Sequence, residues 1–170
     1  MVSPLAVVVR SLAFLALFAL LQLSWQSLRE TAAGRLIVHD CTVQPAAWLV
    51  SRLTRSVHVR AVDYSLRAPG GGLNILNGCE GMEALFLLSA AFAVAPLAWR
   101  RRLGGLLLGI AVVFTVNQAR ILLLFYGYRA SPAWFDALHT TITPIGVVLV
   151  ISAYFYAWLV YSGRQTAAAH

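Results

Sequence analysis

Four long apolar runs, at about residues 5–26, 82–99, 103–127 and 142–161, dominate this chain of 170 residues. Each approaches the roughly 20 residues that a helix needs to cross a hydrocarbon core about 30 Å thick. A lone strand is excluded there, because its unpaired backbone groups find no partner in lipid. Composition agrees: 60% of residues are hydrophobic and 11% charged, against about 25% charged in a soluble domain. The sequence therefore reads as one all-α integral membrane domain, residues 1–170, with about four transmembrane helices. The first run competes with a secretory signal peptide, but it is longer than a signal core and no clean small-x-small cleavage site follows. It is expected to be an uncleaved span.

The net charge is +7 and all 13 basic residues are arginine. These arginines sit between apolar runs and form no patterned reading element, so a nucleic-acid partner is not expected. They read as topology signals. Arg100, Arg101 and Arg102 fill the short link between the second and third runs, and short basic loops stay cytoplasmic. Arg10 and Arg164 then also fall inside, leaving residues 29–78 and 127–141 on the outer side. The six arginines of the first outer segment do not oppose this, because the rule weakens as translocated loops lengthen.

That outer segment carries patterns of its own. Residues 45–56 place Ala46, Leu49, Val50 and Leu53 at helical spacing with Arg52 and Arg55 opposite, as in an amphipathic helix lying on a membrane surface. Residues 57–66 alternate, with Val57, Val59 and Ala61 on one side and His58 and Arg60 on the other, which predicts a strand. Pro69, Gly70, Gly71 and Gly72 make a turn, and residues 73–76 read as a strand returning to complete a small hairpin. The tail beyond Gly163 is expected to be unstructured.

Some polar residues have no topological reason to be where they are. Arg120 lies within the third run, where a central arginine costs roughly 2.5–3.5 kcal/mol on insertion scales. It is either functional or snorkelling to the outer interface. Asn117, three residues earlier, shares its face. Cys79 falls in Asn77-Gly78-Cys79-Glu80-Gly81, after an Asn-Gly turn and at a helix N-terminus whose partial positive charge favours a thiolate. Glu80 opposes that effect. A disulfide between Cys79 and Cys41 is the structural alternative. No Cys/His spacing suits a metal, and no metal or organic cofactor is implied. His139 follows Ser131 and Pro132, which suit a helix start, and precedes Pro144. Histidine titrates near neutrality and shuttles protons. His39, His58 and His170 lack comparable placement and read as surface residues. In the topology above, Cys79, Arg120 and His139 come from three different spans and converge near the outer leaflet. A thiol nucleophile, a cation for a developing oxyanion and a proton carrier form an acyl-transfer set.

At these residues the chain resembles the exosortase/archaeosortase family of membrane transpeptidases. The stretch Asn77-Gly78-Cys79-Glu80-Gly81-Met82-Glu83-Ala84 is similar to the family's segment at its catalytic cysteine. Asn117-Gln118-Ala119-Arg120-Ile121 resembles its arginine segment, and His139 matches its later histidine before a last span. The resemblance covers about residues 57–158, and the short chain looks like the compact, exosortase H-type members.

The resemblance implies a cysteine-type peptidase and transpeptidase that acts on exported proteins ending in a C-terminal sorting signal: a short motif, a span and a basic tail. Cys79 is then the nucleophile, with Arg120 and His139 as catalytic partners. Asn117 is expected to orient Arg120, and Glu83, on the Cys79 face of the second helix, to pair with Arg120 or to complement the helix dipole. The expected location is the bacterial inner membrane, surrounded by lipid, with the site facing outward. The sorting motif and the acceptor are not named by these residues. Two other classes compete: a non-catalytic assembly or scaffold subunit that keeps the fold, and a small transporter component, which would need polar residues at several depths along a path.

Overall fold

The computed structural model describes residues 3–75 and 78–167. Ser3 caps the first helix by accepting from Ala6 N at 3.3 Å, and Pro4 takes the first helical position, so α1 (Pro4–Arg29) starts where proline's missing N–H costs nothing. Its 26 residues rise about 39 Å. Leu5, Val8, Leu12, Leu15, Leu20 and Leu23 are exposed along it, the surface that lipid would cover.

The helix expected over residues 82–99 is shorter than the sequence suggests. α4 (Met82–Val94) has 13 residues, about 20 Å of rise, less than a hydrocarbon core. Ala95 leaves the helix at ψ 141° because the ring of Pro96 disfavours helical geometry in the residue before it. Arg102 then donates to the freed Ala95 carbonyl at 3.0 Å. α5 (Trp99–Ala130, 32 residues) begins before the arginine triplet and takes it into its first turns. Among the described residues three helical stretches are long and apolar enough to cross a membrane: Pro4–Arg29, Trp99–Ala130 and Pro132–Gln165.

The last stretch is not uniform. α6 (Pro132–Ala137), capped by the Ser131 hydroxyl accepting from Trp134 N at 3.2 Å, runs into a π-helical turn, Leu138–Ile142, and then into α7 (Thr143–Ala167). The helix continues past Gly163 through Ala167, where an unstructured tail was expected; residues 168–170, including His170, lie outside the described residues.

The helices alternate in direction. α4 packs against α1, α5 and α7, and α7 packs against α5. In lipid no hydrophobic force drives such packing, so close approach through small residues matters. A Cβ at Gly105 would stand 2.5 Å from Trp158 Nε1 and 2.6 Å from Phe92, and one at Gly109 would stand 2.5 Å from Leu88. These two glycines, four apart on one face of α5, let α4 and α7 close on it. Leu88, Phe92, Val113 and Ile151 form the buried core of this part.

Between α1 and α4 the chain builds a cap over one end of the bundle. Thr31 caps α2 (Ala32–Val38), a π-helical turn follows at His39–Val43, and α3 (Gln44–Leu53) continues from it. The amphipathic helix is thus present, and part of its apolar face turns onto the bundle. Ala46 and Val50 are fully buried in a cluster with Ile121, Leu124 and Phe125 of α5, while Leu53 is exposed. The end of α5 that carries Ile121, Leu124 and Phe125 offers a ready apolar face, and covering it buries both.

The single long strand expected over residues 57–66 is two strands. β1 (Arg60–Val62) turns at Asp63, which adopts φ +49°, into β2 (Ser65–Arg67), and β3 (Leu73–Asn74) pairs with β2 in an antiparallel sheet of order β1-β2-β3. Leu66 faces Leu73 across the expected hairpin; Leu76, expected at the end of its returning strand, lies outside the described residues. The alternation holds, with Val57, Val59 and Ala61 packed on the core and His58 exposed. Leu66 and Ile75 are fully buried, each side chain worth about 1.5–3 kcal/mol where water is the alternative.

Candidate active site

The site forms where the start of α4 meets α5, α7 and the cap. Asn77, the first turn residue of the cysteine motif, lies outside the described residues. Gly78 adopts φ +86° and Gly81 φ +85°, so the chain doubles back twice around Cys79 before α4 begins. At Gly81 two constraints coincide. The left-handed backbone favours glycine, and a Cβ would stand 2.8 Å from Asn117 Cγ. Asn117 therefore packs against the Cys79 loop, and its Oδ1 is buried with no hydrogen-bond partner among the described residues. Its contact with the site runs through Gly81, and among the described residues no hydrogen bond joins it to Arg120, which it was expected to orient.

Arg120 does not snorkel. Its guanidinium turns into the bundle, where Nη1 donates to Gly78 O at 2.9 Å, Nε donates to Thr143 Oγ1 at 3.2 Å, and Nη2 lies 3.9 Å from Cys79 Sγ. Among the described residues no ion pair joins it to Glu83, whose carboxylate sits instead beside Gly78 on the cavity wall. The Gly78 carbonyl takes Nη1 and the Thr143 hydroxyl takes Nε, while Nη2 is left facing Cys79.

Cys79 is 5% exposed. Burial pushes its thiol up from the ordinary value, the Arg120 guanidinium opposes this, and the carboxylates of Glu80 and Glu83 add to it. The upward effects win, so the resting sulfur is a thiol and a proton acceptor is needed before it can attack. Cys41 is a free, exposed thiol on the π-helical turn of the cap, and Cys79 is free as well, so the disulfide alternative is not formed.

His139 lies on the second π-helical turn, a form that concentrates at functional sites. It lines the same two cavities as Cys79. Its Nδ1 is buried without a partner among the described residues, and the Phe135 ring packs against the imidazole at 5.5 Å. The fold thus brings Cys79, Arg120 and His139 to one place from three elements. His39 is turned away, with Nδ1 2.9 Å from Asp63 O in the cap.

Sequence reasoning missed three supporting residues. Thr143 joins α7 to Arg120. Trp25, near the end of α1, donates Nε1–H to the buried Glu80 carboxylate at 3.0 Å. Arg29 reaches the same oxygen at 3.3 Å and stacks over Tyr64 at 5.0 Å. Glu80, read only as an anion beside the thiol, is therefore an anchor that ties α1 to the cysteine loop. The signal for it was present: a carboxylate beside an apolar span needs a partner, and Arg29 closes the first span.

The sequence model described as transmembrane exosortase matches residues 3–159 of the chain. No curated protein and no solved structure matches it.

Proposed function

The chain belongs to the transmembrane exosortase family, and from that premise we propose that it is a membrane-embedded cysteine peptidase and transpeptidase acting on exported proteins that end in a C-terminal sorting signal. One observation carries the reading. A buried thiol stands 3.9 Å from a guanidinium that has no lipid-facing role, and a histidine with a buried, unpartnered nitrogen shares both cavities with that thiol.

His139 accepts the Cys79 proton as sulfur attacks the scissile carbonyl. A C–S bond forms, and Arg120 Nη2 donates to the oxygen that gains charge. Loss of one such donor costs about 3–4 kcal/mol of barrier in other acyl-transfer enzymes. The tetrahedral species collapses to a thioester, the C–N bond breaks, and His139 returns its proton to the leaving amine. An acceptor nucleophile then attacks the thioester, gives its proton to His139, and expels the Cys79 sulfur, which is reprotonated. Asn117 supports the set through the Gly81 loop, and Glu83 keeps an anion beside the thiol. The arginine triplet argues for an orientation with the Cys79 end of the bundle on the extracytoplasmic side, and the reading places the chain in a bacterial inner membrane.

The test is co-expression with a panel of reporters bearing varied sorting signals, read as a shift in mass. Wild type is expected to shorten at least one reporter, and Cys79→Ala none. Equal shortening by both removes the cysteine mechanism and leaves a scaffold role, whereas wild-type rates in Arg120→Ala and His139→Ala remove the roles given to those two residues.

A further inference from the structure

Two cavities meet at Cys79 and His139, and their walls differ in kind. The first, about 490 Å³, opens between α1, α4 and α7 and is walled by Phe18, Leu87, Val147, Val148 and Ile151. A further cavity of about 500 Å³ continues below it on the same helices. Phe14 lies four residues below Phe18, Ala91 four beyond Leu87, and Phe155 four beyond Ile151, and a step of four stays on one helix face. The two cavities therefore follow one another along a mostly apolar groove face floored by α4, with Arg10 beside the lower one. Along α4 the groove runs from Ala84 to Val94, about 15 Å of rise. The floor residues Ala84 and Ala91 are small, which allows another helix to approach closely.

The other cavity at Cys79, about 300 Å³, lies on the cap side. Gly72, Leu73, Asn74 and Ile75 line it consecutively. A strand that shows a face offers every second residue; four in a row present an edge. Among the described residues β3 is the last strand of the sheet and pairs only with β2, so its other edge is a template for an added strand. The Tyr128 and Phe135 rings, packed edge to face at 5.6 Å, stand among its other walls.

We propose that the substrate lies through both cavities. The residues before the scissile bond add to β3 as an extended strand, and the membrane helix after the bond lies in the groove of α1, α4 and α7. The scissile carbonyl then falls at the junction, between Cys79 and His139. This rests on the peptidase reading above and specifies how that site takes its substrate. It separates the two products physically. Once the C–N bond breaks, the helix carries the new amine away sideways into lipid, while β3 holds the thioester-linked chain until an acceptor arrives.

The experiment uses a reporter that wild type shortens, with a photo-crosslinking residue placed either in its span or just before the scissile bond. The partner is the full-length Cys79→Ala chain, which binds without cutting. Crosslinks from the span are expected on Ala91 and Phe155, and crosslinks from the upstream positions on Asn74 and Tyr128. In the cleaving enzyme Ala91→Trp is expected to slow processing by about tenfold or more, while Leu107→Trp, on the exposed face of α5, leaves it unchanged. Span crosslinks on the Leu107 face overturn the path while leaving the peptidase reading intact. So does normal processing by Ala91→Trp with crosslinks to lipid alone, which makes the groove a lipid site. If wild type shortens no reporter, the peptidase reading fails and the path falls with it.

Discussion

Thr143 Oγ1 accepts from Arg120 Nε at 3.2 Å and donates to Leu138 O at 2.8 Å. One hydroxyl at the start of α7 thus ties the guanidinium of α5 to the π-helical turn that carries His139. Thr143→Val keeps the shape and removes the link, leaving Arg120 Nε unpaired at about 1–3 kcal/mol, while Leu138 O keeps the Thr143 backbone N–H. Processing is expected to slow by about 10–100-fold, with Thr143→Ser close to wild type. An equal loss for serine and valine would point to packing and not to the hydroxyl.

Burial holds the Cys79 thiol above its ordinary value of 9.0, and Arg120 is the cation that limits the rise. Alkylation of Cys79 in detergent is therefore expected to climb with pH through a range above that value. Removing a cation destabilises the thiolate, so Arg120→Gln moves the midpoint further up; removing an anion does the reverse, so Glu83→Gln moves it down. Peptide mass spectrometry separates Cys79 from the exposed Cys41. A midpoint that falls in Arg120→Gln contradicts this electrostatic account.

Arg29 and Glu80 form a buried pair, with side chains 14% and 2% exposed. Breaking one side of such a pair leaves an uncompensated charge, at about 3–5 kcal/mol. Arg29→Met is expected to lower the unfolding temperature in detergent strongly, and Arg29→Met with Glu80→Gln to recover most of the loss. If the double variant is no better than the single one, Arg29 acts through its stacking on Tyr64.

At Gly81 a side chain meets both an unfavourable φ of +85° and the Asn117 amide. The left-handed backbone alone costs a non-glycine residue about 1–2 kcal/mol. Gly81→Ala is expected to abolish processing, with partial rescue by Asn117→Ser, which relieves the clash and not the strain. Gly146→Ala is the control, since nothing lies within 4 Å of its Cβ position, and it should process normally.

Much of this was legible in the linear sequence because it depends on local periodicity. The spans at α1, α5 and α7, the alternation around Val59 and the glycine turn before β3 each follow from a few neighbouring residues. The second span was overestimated because its apolar composition runs past Pro96, while backbone sterics at Ala95 end the helix there. The cap helix was recognised, but its partner was not, since an apolar stripe does not say whether lipid or α5 covers it. At the site, the sequence suggested a pairing of Glu83 with Arg120 by helical spacing. The guanidinium instead found Gly78 O and Thr143.

The sequence by itself determined that this chain belongs in a membrane, because its apolar surface exceeds what a water-facing globule can bury. It also singled out Cys79, Arg120 and His139 as candidates for the proposed chemistry, because an arginine within a span is costly without use. Only the tertiary structure decided where Arg120 points, that Trp25 and Arg29 hold Glu80, and that two unlike cavities meet at the thiol. Those outcomes depend on which groups from distant segments reach one another first, and in a bundle where every buried polar atom needs a partner that is settled by packing.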